Sequence, residues 1–246
     1  MALVMRPILL IPARLAASRL PEKPLADIHG KPMIAHVWER AVAAELGPVH
    51  VACDSPRIAS VIEAAGGNAI LTDPALPSGS DRIHAALAHA DPNGRHDVVI
   101  NLQGDMPGID PGIVRRAAAL LDDPSVDIGT LACPITKPGR ESLPNVVKPV
   151  VSFRNADAGR ALYFTRATAP YGGGPYFEHI GLYAYRRTAL ERFVSLPPSP
   201  LEKRESLEQL RALEADMHIA IAIVPHFPLS VDTPEDLAQA RDSLRP

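Results

Sequence analysis

The sequence has 246 residues, a formal net charge of −3, 46% hydrophobic residues and 22% charged residues. This is the composition of an ordinary globular protein, and it excludes disordered, collagen-like and disulfide-scaffolded chains. The chain lacks the basic footprint that nucleic-acid binding requires, so we expect no nucleic-acid partner. Cys53 and Cys133 lie in apolar runs without metal-ligand spacing, which favours buried thiols in a reducing compartment.

The apolar run Ile8–Pro12 is predicted to be a buried first strand. Pro12 and Arg14 interrupt the run and no small-x-small cleavage site follows, which argues against a signal peptide. No apolar stretch approaches the ~20 residues that a membrane-spanning helix needs. We therefore expect a cytoplasmic protein without membrane insertion.

The first half of the chain alternates strand-like apolar runs with helical spacing. Further strands are predicted at Val49–Cys53, Ala69–Thr72 and Val98–Leu102. Helices are predicted from Pro32, from Pro56 after a Ser55 cap, and through Ile83, Leu87 and Ala90. Repeated β–α alternation predicts an α/β fold with a Rossmann-like, mainly parallel sheet flanked by helices.

The pattern becomes β-rich after about residue 127. Strands are predicted at Ile128–Pro134, Val146–Phe153, Ala161–Phe164 and Ile180–Tyr185, with little helix between them. A helix over Pro200–Ala215, a strand over His218–Val224 and a helix over Pro234–Leu244 complete the chain. We interpret residues 1–246 as a single domain with a main α/β part over 1–127, a β-rich excursion over 128–215 and a return to the sheet over 216–246.

A cationic loop, Pro12–Leu25, follows the first predicted strand. It carries Arg14, Arg19 and Lys23 beyond the carboxyl end of that strand, where open α/β sheets bind ligands. Clustered arginine and lysine side chains suit phosphate oxygens. A solvated basic loop is the alternative interpretation, and the segment matches neither the GxGxxG nor the Walker A pattern.

Two acidic segments suggest a metal site. Asp105 follows the predicted strand Val98–Leu102, and Asp232 precedes the closing helix, for which Thr233 is the predicted cap. Carboxylates at these positions suit Mg²⁺ if they converge at one sheet edge. The alternative for Asp105 is that it caps the helix that begins near Pro111.

Taken together, the segments resemble the sugar-activating cytidylyltransferases, and among them the 3-deoxy-manno-octulosonate (Kdo) cytidylyltransferases, from Ile8 to Leu244. The matching segments are Pro12–Leu25, Gly30–Ile34, Ser78–Arg82, Asn101–Pro107, Asn145–Lys148, Tyr163–Ala167, His179–Tyr183, Ser199–Glu202, Leu207–Arg211 and Val231–Leu237. The resemblance implies a nucleotidyltransferase-type fold whose 1–127 part mainly binds CTP. It also implies that the β-rich part binds the sugar and forms a homodimer.

The resemblance further implies a role for individual residues. CTP is assigned to Ala13, Arg14, Arg19, Lys23, Ser78, Gly79 and Arg82. Kdo is assigned to Gln103, Arg166, His179, Tyr183, Glu208 and Gln209. The cofactor Mg²⁺ is assigned to Asp105 and Asp232, and the catalytic group is Arg14, Lys23, Asp105 and Asp232. The implied reaction transfers CMP from CTP to the anomeric C2 hydroxyl of Kdo for lipopolysaccharide synthesis.

The sequence departs from the family pattern in two places. Met106 stands where the family usually has an acidic residue, and the loop around Gly172–Gly174 looks shorter than usual. Three alternatives remain: a cytidylyltransferase for another substrate such as 8-amino-Kdo, sialic acid or a polyol phosphate, a transferase that uses a nucleotide sugar, and a non-catalytic nucleotide-binding module. A transferase that uses a nucleotide sugar usually carries an Asp-x-Asp motif, which Asp105-Met106-Pro107 does not match. A non-catalytic module would be expected to lose Lys23, Asp105 or Asp232, and all three are present.

Overall fold

The computed structural model describes residues 5–16 and 20–245 and divides into two compact units. The first unit comprises residues 1–115 and 228–246, and the second comprises residues 116–227. The sequence predicted the change to the β-rich part at 127/128 and the return to the sheet at 215/216. In the structure the first boundary lies twelve residues earlier, at 115/116, and the second lies twelve residues later, at 227/228.

The chain up to residue 119 consists of strands and helices that alternate from residue 31 onward. They are β1 (Pro7–Ala13), β2 (Asp27–Ile28), β3 (Lys31–Pro32), α1 (Met33–Val42), β4 (Val49–Cys53), α2 (Pro56–Ala64), β5 (Asn68–Leu71), α3 (Gly79–Ala90), β6 (Val98–Asn101) and α4 (Pro111–Ala119). The elements that follow are β7 (Ile128–Pro134), β8 (Lys148–Phe153), β9 (Ala158–Thr165), β10 (Phe177–Arg186), α5 (Arg187–Ser195), α6 (Pro200–Glu205), α7 (Leu210–Glu214), β11 (Ile219–Ile223) and α8 (Pro234–Ser243).

Four parallel strands form the centre of the first unit, in the order β5-β4-β1-β6. Residues Ile8–Ile11 of β1 are fully buried, as expected for a strand covered on both faces. The predicted α/β fold with a mainly parallel sheet is confirmed, and β4 agrees with its prediction to the residue.

Local sequence signals set the helix starts that matter for the site. The Ser55 side chain caps α2 by accepting a hydrogen bond from the backbone N–H of Arg57 at 3.2 Å. Thr233 caps α8, and Pro234 occupies its first turn, as the sequence predicted. Pro32 differs slightly from its prediction, because it precedes α1 as the cap residue and Met33 is the first helical residue.

The second unit contains five strands in the order β10-β7-β11-β9-β8. The β7–β11 pair is parallel and the β10–β7, β11–β9 and β9–β8 pairs are antiparallel. This mixed pairing is the β-rich segment that the sequence predicted.

Two helical features of the second unit differ from the sequence prediction. The single helix predicted over Pro200–Ala215 is wrong, because Ser206 adopts a left-handed conformation (φ 53°) and ends α6 before α7 begins. Helix α5 was not predicted at all. Among residues 5–16 and 20–245, no helix is long and apolar enough to cross a membrane.

Candidate active site

An open pocket of about 310 Å³ lies in the first unit, beyond the carboxyl ends of β1 and β6. Its walls come from the end of β1, the cationic loop, the start of α3, the turn after β6 and the residue before the α8 cap. The lining residues include Ala13, Arg14, Lys23, Ser78, Gly79, Arg82, Gln103, Asp105 and Asp232. These are all the first-unit residues that the sequence assigned to a substrate or metal, except Arg19, which lies outside the described residues.

Lys23 joins the two acidic side chains of this pocket. Its ammonium nitrogen Nζ donates hydrogen bonds of 3.0 Å to Oδ2 of Asp105 and 3.0 Å to Oδ1 of Asp232. Since both oxygens contact the same nitrogen, they lie no further apart than twice that distance. The two carboxylates therefore converge as the sequence analysis expected, but with a lysine between them that it did not place there.

Burial and the neighbouring charges have opposite effects on the pKa values of Lys23 and Asp105. Burial raises the pKa of Asp105, and the neighbouring Lys23 ammonium only partly offsets that rise. For Lys23, burial acts to lower the pKa, but the attraction of Asp105 and Asp232 outweighs it and the pKa is raised. The Lys23 ammonium and the Asp105 carboxylate thus each favour the charged form of the other, but burial keeps the pKa of Asp105 raised.

Backbone contacts bring the two aspartates together. The N–H of Val231 donates to the carbonyl oxygen of Asp105 at 2.9 Å, which ties the turn after β6 to the segment before α8. The Asp236 carboxylate accepts the N–H groups of Asp232 at 3.0 Å and of Thr233 at 2.9 Å. Asp105 does not cap α4, because Asp110 does so, accepting the N–H of Gly112 at 2.6 Å.

The cationic loop is held at both of its described ends. After Arg14, the N–H of Leu15 donates to Oδ1 of Asp54 at 3.1 Å. Before Lys23, the Glu22 carboxylate pairs with both terminal nitrogens of Arg57, one of them at 3.0 Å. Asp54 and Arg57 carry no motif signal, so the sequence analysis did not identify them.

The start of α3 forms the next wall of the pocket. The Ser78 side chain caps this helix, accepting from the N–H of Asp81 at 3.1 Å and donating to Oδ2 of Asp81 at 2.7 Å. Arg82 is only 2% exposed, and its guanidinium donates to the Thr72 hydroxyl at 2.5 Å. Gly79 packs against Pro12, where an added Cβ would lie 3.4 Å from Cγ of the proline ring.

The turn after β6 presents an oriented amide to the pocket. Nε2 of Gln103 donates to Oδ1 of Asn101 at 3.1 Å, and Asn101 is 2% exposed. The amide oxygen of Gln103 lies near the start of α3, since a Cβ added to Gly79 would be 3.9 Å from it. Met106, which stands where the family resemblance implies an acidic residue, is buried at 4% exposure.

Five residues assigned to Kdo lie in the second unit. His179 and Tyr183 are neighbours on β10, with ring centroids 5.5 Å apart, and Thr130 Oγ1 lies 3.0 Å from Nε2 of His179. Burial lowers the pKa of His179 to about 3. Burial, together with Tyr185 and Glu208, raises the pKa of Tyr183 well above its ordinary value. Gln209 is buried at 7% exposure.

Arg166 has a structural role that the sequence did not predict. Its guanidinium donates to the carbonyl oxygens of Glu205 at 2.7 Å, Pro144 at 2.9 Å and Ser206 at 3.1 Å. The carbonyl of Arg166 itself accepts a 2.6 Å hydrogen bond from the buried ammonium of Lys148. Arg166 therefore links three segments of the second unit, and its role toward a sugar acid stays a prediction.

A parallel α/β sheet with a pocket of cations and carboxylates beyond its strand ends is the arrangement in which α/β proteins bind phosphate-bearing ligands such as nucleotides. The model of the family described as "Cytidylyltransferase" matches residues 8–219. The chain is 62% identical to a 3-deoxy-manno-octulosonate cytidylyltransferase of Rhodospirillum centenum, over 98% of this chain and 94% of that protein. It is also 62% identical to the enzyme of the same name from Methylobacterium nodulans, over 96% and 95%.

A solved structure gives the same result at the level of the fold. A CMP:2-keto-3-deoxy-manno-octonic acid synthetase in complex with CTP matches with a TM-score of 0.89 and 40% identity, over 97% of this chain and 98% of that one. The chain belongs to the cytidylyltransferase family, within the group of 3-deoxy-manno-octulosonate cytidylyltransferases.

Proposed function

We propose that the protein transfers CMP from CTP to Kdo. The oxygen of the anomeric C2 hydroxyl of Kdo forms a bond to the α-phosphorus of CTP as the bond from that phosphorus to the β-phosphate oxygen breaks. Pyrophosphate leaves, the hydroxyl proton passes to solvent, and CMP-Kdo remains for lipopolysaccharide synthesis. The observation that carries the proposal is the convergence of Arg14, Lys23, Asp105 and Asp232 on one pocket of a chain that is 62% identical to named enzymes of this activity.

The pocket suits a triphosphate substrate. Phosphoryl transfer depends mainly on positioning and on neutralising charge, and it needs little covalent help from the protein. Lys23 and Arg14 provide cationic donors, and Ser78 and Gly79 lie at the start of a helix, where the helix dipole favours anions. The CTP assignment of Ala13, Arg14, Lys23, Ser78, Gly79 and Arg82 is part of this proposal.

The donor set fits Mg²⁺ as the cofactor. Mg²⁺ usually takes one or two protein carboxylates and completes its shell with water and phosphate oxygens. The described residues contain no cluster of three or more His, Cys, Asp or Glu side chains suited to a metal, whereas Asp105 and Asp232 supply two hard oxygen donors within reach of one atom. Held by these two residues, the ion would offset the negative charge that develops on the triphosphate.

Recognition of the sugar acid, assembly and location complete the proposal. As the family resemblance implies, Kdo is assigned to Gln103, Arg166, His179, Tyr183, Glu208 and Gln209. The protein is proposed to act as a homodimer, in keeping with the family resemblance. A biosynthetic reaction that consumes CTP is expected in the cytoplasm.

Release of pyrophosphate tests the reaction. The purified chain is incubated with CTP and Mg²⁺ and with Kdo, 8-amino-Kdo or sialic acid in turn, and the nucleotide–sugar product is identified by mass spectrometry. We expect release with Kdo and CTP, far less with UTP or ATP, and a loss of several orders of magnitude in Asp105→Asn.

The other outcomes separate the alternatives. A higher kcat/KM with 8-amino-Kdo or sialic acid would identify a different sugar acid as the substrate. CTP binding without release of pyrophosphate from any acceptor would favour a non-catalytic nucleotide-binding module.

A further inference from the structure

The ammonium group of Lys23 lies between the two carboxylates to which Mg²⁺ is assigned. Its 3.0 Å contacts reach one oxygen of Asp105 and one oxygen of Asp232. The side chains of Lys23 and Asp105 are only 18% and 25% exposed, so water screens this pair less than it would at an open surface, whereas the Asp232 side chain is 43% exposed and is screened more. A cation bonded to both carboxylates therefore stands where a metal ion shared by both would bind.

We propose that Lys23 and the divalent cation exclude one another from this pair of carboxylates, and that the triphosphate of CTP frees the pair by drawing Lys23 onto its own oxygens. This inference rests on the proposed metal and CTP sites. It adds a step that neither site implies, since it makes lysine the competitor of the metal before it becomes a ligand of the substrate.

Charge and distance support the exclusion. A metal ion ligated by both aspartates would have to approach their oxygens to about 2.0–2.1 Å, which places it within a few ångströms of the present position of Nζ. Two cations at such a separation in a partly buried site repel strongly. The carboxylates that stabilise the ammonium would then be engaged by the metal, so the lysine loses its partners as well.

The lysine side chain has both a means of leaving and a destination. Lysine carries a compact charge on a flexible four-carbon stem, so it can change partners with little movement of the backbone. Lys23 lines the same pocket as Arg14, Ser78 and Gly79, to which the triphosphate is assigned. Phosphate oxygens offer the ammonium new acceptors there, and binding of CTP and binding of the cation then strengthen one another by the same factor.

The proposal predicts that replacing Lys23 by an uncharged residue changes two affinities in opposite directions. Affinity for the divalent cation without nucleotide rises, because the competitor is gone and the carboxylates repel one another without a counter-charge. Affinity for CTP without metal falls, because a phosphate donor is gone. A lysine that only maintains the structure, or that helps to hold the metal, would lower both affinities or neither.

Mn²⁺ binding to the full chain without nucleotide provides the test, with free Mn²⁺ measured by electron paramagnetic resonance. We expect Lys23→Met to bind Mn²⁺ about tenfold or more tightly than the unmodified chain, since a full charge is removed at contact distance. Lys31→Met is the matched control, because Lys31 pairs with Glu39 at 2.7 Å and 2.8 Å, outside the pocket. Calorimetry with CTP in the absence of metal should show weaker binding by Lys23→Met and no change in Lys31→Met.

Three further variants make the result decisive. Lys23→Gln removes the charge but keeps a polar side chain, so it repeats the test if Lys23→Met melts at a lower temperature. If neither Lys23→Met nor Lys23→Gln binds Mn²⁺ more tightly than the unmodified chain, the exclusion is overturned. The proposed metal site then still stands, provided that CTP-dependent Mn²⁺ binding is lost in Asp105→Asn. If Lys23→Met and the double variant Lys23→Met/Asp105→Asn bind Mn²⁺ equally tightly, Asp105 is not a ligand, and the metal assignment fails together with the exclusion.

Discussion

At the scale of single residues, His179 is a base that its surroundings keep neutral. Its ring packs against Phe164 and Tyr183, with centroids 5.0 Å and 5.5 Å away, and burial lowers its pKa from 6.5 to about 3. Below about pH 6.5 the unfolded chain takes up a proton at this residue, whereas the folded chain does not until about pH 3. Stability is therefore lost as the pH falls through this window.

The loss of stability at lower pH can be measured. The free energy of unfolding should fall from pH 7 to pH 5 by up to about 2 kcal/mol more in the unmodified protein than in His179→Gln, which cannot be protonated there. Urea denaturation at the two pH values measures the difference. Parallel pH dependences in the two proteins would show that the folded protein protonates His179 as readily as the unfolded chain does, and that burial does not lower its pKa.

Arg82 is a second residue whose role depends on burial. Its guanidinium is almost fully enclosed, is held by the Thr72 hydroxyl at 2.5 Å and still lines the pocket. A charge-assisted hydrogen bond contributes about 1.5–3 kcal/mol, so Arg82→Met should raise the KM for CTP about tenfold or more and change that for Kdo little.

Thr72→Val is the matched variant for this prediction. It removes the anchor but leaves the guanidinium, so we expect a smaller rise in the KM for CTP. Steady-state kinetics with each substrate varied in turn measure both effects. Equal rises for CTP and Kdo in Arg82→Met would assign Arg82 a purely structural role.

The sequence indicated which residues converge at the pocket, but not how they are connected. Asp105 and Asp232 were each predicted at the end of an element, and the rule for parallel sheets brought them to one edge. The bridge through Lys23 depends on the Val231–Asp105 backbone contact and on the path of the loop before Lys23. Such contacts join segments far apart in the chain, and no local pattern encodes them.

At the scale of elements, the turn after β6 allows no side chain at Gly104. A Cβ at this position would lie 2.8 Å from the carbonyl oxygen of Pro12 and 3.2 Å from Cδ1 of Ile34. The proline carbonyl belongs to β1 and yields little, so the turn itself must move and take Gln103 and Asp105 with it. The close approach explains why a glycine stands between these two residues.

Gly104→Ala should therefore reduce kcat/KM about tenfold or more, because small displacements of reacting groups are costly in catalysis. Overpacking should lower the free energy of unfolding by about 1–3 kcal/mol. Gly173→Ala is the control, since a Cβ there meets nothing within 4 Å, and it should change neither quantity. Unaltered kinetics in Gly104→Ala would mean that the turn does not position Asp105.

The elements themselves were predicted with uneven success, for identifiable reasons. Val49–Cys53 and Ile128–Pro134 are apolar runs bounded by breakers, and their bounds are correct. The 200–215 segment has helical leucine spacing, but the left-handed Ser206 interrupts it, and serine gives little warning of that conformation. Helix α5 was missed because only Ala189, Leu190 and Phe193 are buried, a spacing too short to stand out.

At the scale of the whole molecule, an apolar edge bears on the proposed homodimer. Strand β8 is the last strand in the order of the second unit, but β10 already contacts its start, where the carbonyl of Val147 accepts a hydrogen bond of 2.9 Å from the N–H of His179. The side chains that β8 and β9 leave exposed are therefore better evidence for an interface than the strand's backbone groups. Phe153 on β8 is 44% exposed, with its ring centroid 5.4 Å from that of Phe177 and the two rings tilted by 51°, and Leu162 on β9 is 56% exposed. The register of the β8–β9 pair shifts between Val150 and Val151, beside Leu162.

Apolar side chains are enriched in the core of homodimer interfaces, and we expect Leu162, the exposed leucine of β9, to contribute to this one. Leu162→Glu should therefore give a monomer at concentrations where the unmodified protein is a dimer, because dimerisation would bury a charge against apolar side chains. Leu71→Glu provides a matched control: Leu71 is 55% exposed at the end of β5 in the first unit, so its substitution should leave the dimer intact. Sedimentation equilibrium measures the mass of each protein, and circular dichroism checks that both variants fold. If Leu162→Glu remains dimeric, or if only Leu71→Glu loses the dimer, the interface does not lie at β8 and β9.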